Sequence, residues 1–98
     1  MIHTTKLFDR WMRRLGDAHA RARIAERIQR LGNGLTSDVK HVGADVSELR
    51  IHCGPGYRVY FTRQGRQLII LLCAGDKDTQ MDDIKMAQRM AADLSRAS

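Results

Sequence analysis

The chain is 98 residues long, enough to build one hydrophobic core without disulfide or metal staples, and its 43% hydrophobic and 29% charged composition excludes a disordered chain. Its longest apolar run, Leu68–Ala74, falls far short of the roughly 20 residues that cross a bilayer, and Met1-Ile2-His3-Thr4-Thr5-Lys6 lacks an apolar signal core. The expectation is therefore a soluble, cytoplasmic protein with a single domain over residues 1–98. Seventeen Lys and Arg, thirteen of them Arg, against eleven Asp and Glu give a net charge of +6, which draws polyanions such as nucleic acid, a ribosome, an acidic protein or an anionic membrane.

The excess of Arg favours phosphate contact, because guanidinium stays charged and forks onto phosphate oxygens; a basic protein from an Arg-rich genome is the alternative. Cys53 and Cys73 belong to no Cys-x-x-Cys pair, and His3, His19, His41 and His52 do not fall at ligand spacing. Reduced thiols, no metal and no cofactor are expected.

In chain order, Ile2–Lys6 reads as a short strand. From Leu7 the apolar residues take helical spacing, with Phe8, Trp11, Met12 and Leu15 on one face. Gly16-Asp17 breaks this helix, and Asp17 is placed to cap a second one reaching Leu31. Ala18, Ile24, Ala25, Ile28 and Leu31 form its inner stripe, opposite Arg21, Arg23, Arg27 and Arg30. So short a break predicts an antiparallel helical hairpin. Gly32-Asn33-Gly34 ends the helical half. Strands follow at Asp38–Val42, Ser47–Cys53, Tyr57–Thr62 and Gln67–Ala74. The last is apolar on both sides, as a central strand covered on both faces would be. A closing helix over Thr79–Arg96 aligns Ile84, Ala87, Met90, Ala91 and Leu94. The fold class is thus α+β: an N-terminal helical hairpin on a twisted, mainly antiparallel sheet of about four strands, with a C-terminal helix.

Alternation within the strands decides which side chains share a face. Cys53 and Tyr57 lie on apolar sides, so an odd-length Gly54-Pro55-Gly56 loop is expected. That register sets Cys53 opposite Tyr57, Ile51 opposite Val59, His52 opposite Arg58 and Arg50 opposite Tyr60. A two-residue Gln64-Gly65 turn would set Phe61 opposite Leu68 and Val59 opposite Ile70. One face is then apolar under the helices, and the other carries Arg50, His52, Arg58 and Tyr60 as an open patch. Two Arg and a His on adjacent strands repel one another, and an anionic ligand would relieve that repulsion. A solvated polar face partnered by Glu48 and nearby acids is the competing reading. The same parity predicts Cys53 and Cys73 on opposite faces, unable to bridge.

The segments Phe8-Asp9-Arg10-Trp11, Ala22-Arg23-Ile24, Arg27-Ile28-Gln29-Arg30-Leu31 with Gly32-Asn33, and Asp38-Val39-Lys40-His41-Val42-Gly43 carry a resemblance. It continues through Ser47-Glu48-Leu49-Arg50-Ile51, Gly54-Pro55-Gly56-Tyr57-Arg58-Val59-Tyr60-Phe61 and Gly75-Asp76-Lys77-Asp78-Thr79-Gln80, nearly the whole chain. The chain resembles the RelE/ParE toxin superfamily of bacterial toxin–antitoxin modules, and within it the HigB-like addiction module killer proteins. That resemblance implies the toxin of a type II module, neutralised by a cognate antitoxin of helix-turn-helix type. RelE-like members cleave mRNA in the ribosomal A site without a metal, whereas ParE-like members poison DNA gyrase. An inactive, antitoxin-bound remnant is a third possibility, and no membrane partner is implied.

By the same resemblance Arg58 contacts the scissile phosphate. Arg50 and, more loosely, His52 correspond to basic residues of the preceding strand, and Lys77 to the basic residue after the strand-terminal Gly. Glu48 stands where some relatives have Lys. Where relatives supply a Tyr or His after the last strand, this chain has Asp82 and Asp83.

RNA cleavage of this kind needs a base for the 2′-hydroxyl, charge stabilisation at phosphorus and an acid for the leaving 5′-oxygen. Arg58 and Arg50 suit stabilisation, and Lys77 would hold a neighbouring phosphate. His52, an imidazole, suits proton transfer, or is simply solvated. Tyr60 is a second donor or a stacking platform for a base. Catalysis is thus expected of Arg58, His52, Arg50 and Lys77, and RNA binding of Arg50, Arg58, Tyr60 and Lys77. Phe8 and Trp11 read as core, and the methionines as packing or antitoxin surface. The Arg21, Arg23, Arg27 and Arg30 series reads as a solvated helix face or a contact with ribosomal RNA.

Overall fold

The computed structural model describes residues 1–35 and 37–97. Thr5 opens helix α1 (Lys6–Arg14) by accepting the Phe8 amide at 3.1 Å. Asp17 does the same for α2 (Ala18–Gly32), accepting the Ala20 amide at 3.1 Å. Strands β1 (Ile2–Thr4), β2 (Val39–His41), β3 (Val46–Ile51), β4 (Tyr57–Gln64) and β5 (Leu68–Gly75) form one sheet in the order β1-β5-β4-β3-β2. After a 3-10 turn, Lys77–Thr79, helix α3 (Gln80–Ala97) closes the chain. The class is the α+β arrangement expected, with five strands in place of about four: β1 joins the edge of β5 in parallel, and the other neighbours are antiparallel.

The sheet has helices on both faces. α1 packs on β5 and α2 on β3, and their Phe8, Ile24 and Leu31 meet Leu49, Ile51, Val59, Phe61, Ile69 and Leu71. Ala20, not Ala18 or Ala25, supplies the small buried residue of α2. On the other face Val46, Tyr60, Ile70, Leu72 and Cys73 are covered by Ala87 and Ala91 of α3, flanked by Ile84, Met90 and Leu94. The face expected to be open is therefore roofed over its middle by α3.

The cross-strand partners differ from the expected ones. β3 ends at Ile51, which pairs with Tyr57, so Arg50 faces Arg58, Leu49 faces Val59 and Glu48 faces Tyr60. The connection is His52–Gly56, five residues rather than three, folded by Cys53 N–H to Ile51 C=O (2.9 Å) and Gly56 N–H to Cys53 C=O (3.1 Å). Gly54 and Gly56 adopt φ of +54° and +80°, conformations open to glycine, which let the chain reverse before the ladder begins. The shift is two residues, an even number, so the expected faces survive while every partner changes.

The β4–β5 turn is Gly65-Arg66-Gln67, with Gln64 opposite Leu68 and Phe61 opposite Leu71. A bulge follows, because Tyr60 pairs with Cys73 and leaves Leu72 as an extra residue. It turns Cys73 toward α3 and Ala74 toward α1 and α2. Cys53 packs against the first core and Cys73 in the second, and both are free thiols.

Candidate anion-binding site

Glu48 is a carboxylate in the middle of a sheet with 0% exposure. Burial of a charge on that scale requires partners, and the strand alternation that brings Glu48, Arg50, Arg58 and Tyr60 to one face supplies them. Arg50 Nε lies 2.8 Å from Glu48 Oε1. On Oε2, Gln80 Nε2 donates at 2.9 Å and the Tyr60 hydroxyl at 3.2 Å, with Arg58 Nε at 3.6 Å. Arg58 is further fixed by its Nη1, which donates to the Gly56 carbonyl at 2.8 Å, and its buried Nε has no hydrogen bond. Gln80 enters because it begins α3, directly after the turn in which Asp76 caps the amides of Asp78 and Thr79.

Desolvation works to raise the pKa of Glu48, but hydrogen bonds from Arg50, Gln80 and Tyr60 outweigh it, and the carboxyl is held below its usual range. Its hydrogen bond, and then its charge, in turn raise the pKa of Arg50. Burial, then the charge and hydrogen bond of Glu48, drive the Tyr60 phenol far above its ordinary value, so it remains a donor. The side chain of Arg50 is 36% exposed and that of Arg58 13%. Two guanidiniums thus share one anion, and the rim of the sheet keeps a surplus positive charge.

Lys77 belongs to the same end. Gly75 pairs with Arg58, and a Cβ added at Gly56 would sit 3.2 Å from Arg58 Nη1 and 3.7 Å from Lys77 Cβ. Arg50, Arg58 and Lys77 are therefore brought together, as the sequence suggests. Tyr60 joins them only from beneath: fully buried and bonded to Glu48, it offers no stacking surface. The stacking role expected of Tyr60 is corrected accordingly, because α3 covers this part of the sheet. His52 lies outside the ladder, so it does not face Arg58. It is 70% exposed, with Nε2 3.3 Å from Asp38 Oδ1. Asp38 also meets Arg27 at 3.3 Å and accepts the Arg50 amide on its carbonyl at 2.9 Å, so His52 stands on the β2 side of Arg50. His52 first, then Arg27, hold the Asp38 carboxyl below its usual range.

Neither Glu48 nor Gln80 is among the site residues that the sequence suggests. For Glu48 the signal was present: it sits two residues before Arg50 on the same face, where strand alternation aligns them. Gln80 carries no local signal, since only the packing of α3 brings it to β3. Among the described residues no three His, Cys, Asp or Glu side chains come close enough to hold a metal, and none of the helices is long and apolar enough to cross a membrane.

A mixed sheet between helical layers, with paired arginines at one rim, defines a small basic α+β protein. Residues 10–93 match the family described as phage derived protein Gp49-like (DUF891), and the chain belongs to that family, a toxin-like family of addiction modules. A protein of Haemophilus influenzae, described only as uncharacterized, is 48% identical over 93 residues, covering 95% of this chain and 94% of its own length.

Proposed function

We propose that this protein is the toxin of a type II toxin–antitoxin module and an endonuclease that cleaves mRNA on the ribosome, of the RelE/ParE, HigB-like kind. The observation that carries the reading is the placement of Arg50 directly opposite Arg58 over a single buried carboxylate, with Lys77 beside them. Guanidiniums so placed suit two oxygens of one phosphate or of neighbouring phosphates. The 2′-oxygen attacks the adjacent phosphorus, forming a 2′,3′-cyclic phosphate as the bond to the 5′-oxygen breaks. Arg58 and Arg50 stabilise the charge that develops on phosphorus, and Lys77 holds the next phosphate. His52 takes the 2′-hydroxyl proton, and water protonates the departing 5′-oxygen. An antitoxin is the regulatory partner.

Arg58→Ala tests this reading. It is expected to abolish growth arrest and mRNA cleavage, read by primer extension after induction, and to leave a folded protein by circular dichroism. A folded and fully toxic Arg58→Ala protein overturns the role of Arg58.

A second reading is favoured by the burial of Tyr60, which takes that phenol out of a substrate's reach and leaves proton transfer resting on His52 among the residues named for it. It is a non-enzymatic, ParE-like toxin that uses the same rim to bind DNA gyrase. Pulse-labelling separates the two, because early loss of protein synthesis marks the first and early loss of DNA synthesis the second.

A further inference from the structure

We propose that Glu48 is a positioning residue, whose buried carboxylate sets the orientation in which Arg50 and Arg58 meet a phosphate. The inference rests on the reading of this rim as an anion site and assigns a role that the rim's cations alone do not supply. Arg50 and Arg58 are direct cross-strand partners, an arrangement that like charge disfavours. Glu48 answers it from below: Oε1 takes Arg50 by its Nε at 2.8 Å and Oε2 stands 3.6 Å from Arg58 Nε. The Nε bond to Glu48 fixes the plane of the Arg50 guanidinium, and a phosphate takes the N–H groups that this bond leaves over. For Arg58 the Gly56 carbonyl fixes Nη1 as a second point. Two further donors, Gln80 and Tyr60, hold the carboxylate itself, so it cannot swing out to follow either arginine. One shared anion also leaves the pair with a surplus positive charge for the ligand.

Neutralisation and positioning make opposite predictions for Glu48→Gln, which keeps the side chain's shape and raises the net charge of the rim by one. If Glu48 merely screens the arginines, both ribosome binding and cleavage strengthen. If it positions them, binding to mRNA-programmed ribosomes stays within a few-fold of wild type, because long-range attraction survives. The cleavage rate at saturating protein then falls on the order of 10- to 100-fold. Gln80→Ala, which removes one donor to Oε2 at the edge of the core, is expected to shift cleavage the same way by less. It also carries the comparison should Glu48→Gln fail to fold by circular dichroism. Equal losses of binding and cleavage, or no loss of cleavage, overturn the role.

A second measurement separates this role from the nuclease reading: the Nε–H resonances of Arg50 and Arg58 in the full chain, titrated with inorganic phosphate. Wild type is expected to show two resolved signals that phosphate moves. In Glu48→Gln they collapse toward the position of free arginine and lose that response. This result without cleavage by wild type overturns the nuclease reading alone. Signals and phosphate response unchanged in Glu48→Gln overturn the positioning role alone, and a wild-type protein insensitive to phosphate overturns the anion site together with it.

Discussion

At the scale of single residues, the carboxylates beside the rim respond to acid in opposite directions. Glu48 has a folded-state pKa below its unfolded value, so folding favours its ionised form. Its contribution to stability is complete above the ordinary carboxylate range and is lost as the pH falls through the depressed value. Asp83 is the reverse. Desolvation raises its pKa, the Thr79 hydrogen bond opposes this, and Asp76 and Asp82 add to the rise. Its contribution is present below the ordinary value and fades as the pH climbs through the raised one. Asp83→Asn is therefore expected to gain stability over wild type as the pH goes from acid to neutral, read as midpoints of urea unfolding. Tyr60→Phe removes a buried donor from a charged acceptor that keeps its other partners, at a cost of about 1.5 kcal/mol by the same measurement. An unchanged midpoint would place no weight on the hydroxyl. The grouping of Arg50, Arg58 and Lys77 at one end of the sheet was legible in the sequence because strand alternation and the Gly75-Asp76-Lys77 order locate them. The burial of Tyr60 was not, since nothing on β4 itself announces the helix that covers it.

Among the elements, the meeting of β5 with the start of α3 holds the site together. A Cβ at Gly75 would lie 1.8 Å from Asp83 Oδ2 and 2.6 Å from Thr79 Oγ1, two atoms that share a hydrogen bond at 2.5 Å. Gly75→Ala must break that bond and push the first turn of α3 off the sheet. The expected cost is about 1–3 kcal/mol of stability, accompanied by a loss of the proposed cleavage, because Gln80 starts that turn and holds Glu48. Loss of stability without loss of activity would separate the turn from the site. The contrast between β3–β4 and β4–β5 shows what periodicity conveys. Face membership in β3 and β4 follows from alternation and is insensitive to an even slip. Partner identity depends on loop geometry, and the hydrogen bonds that fold His52–Gly56 decide it only in three dimensions. Along β5 even alternation fails, because the extra residue Leu72 changes the parity midway.

For the molecule as a whole, helical cover on both faces of one sheet explains why so basic a chain concentrates its site at a rim. The apolar middle of each face is taken by α1 and α2 or by α3, so the sheet's own cationic side chains reach solvent at strand ends and loops. The same architecture makes its two thiols unequal. Cys53 is half-buried against the first core, while Cys73 lies across the sheet in the second, with its Sγ directed to the Asp83 carbonyl at 3.6 Å. Burial, followed by the charge of Asp83, pushes the Cys73 thiol up to about 12, and alkylation proceeds through thiolate. A maleimide at neutral pH is therefore expected to label native protein once, at Cys53, and urea-unfolded protein twice, with the added mass read on intact chains. Non-reducing electrophoresis should show no internal crosslink, since the sheet stands between the two sulfurs. A native chain labelled first at Cys73, or one that forms the crosslink, would mean that β5 does not carry the bulge that turns Cys73 toward α3. The register that brings Gly75 opposite Arg58 depends on that bulge, so the labelling pattern also tests the placement of Lys77 beside the paired arginines.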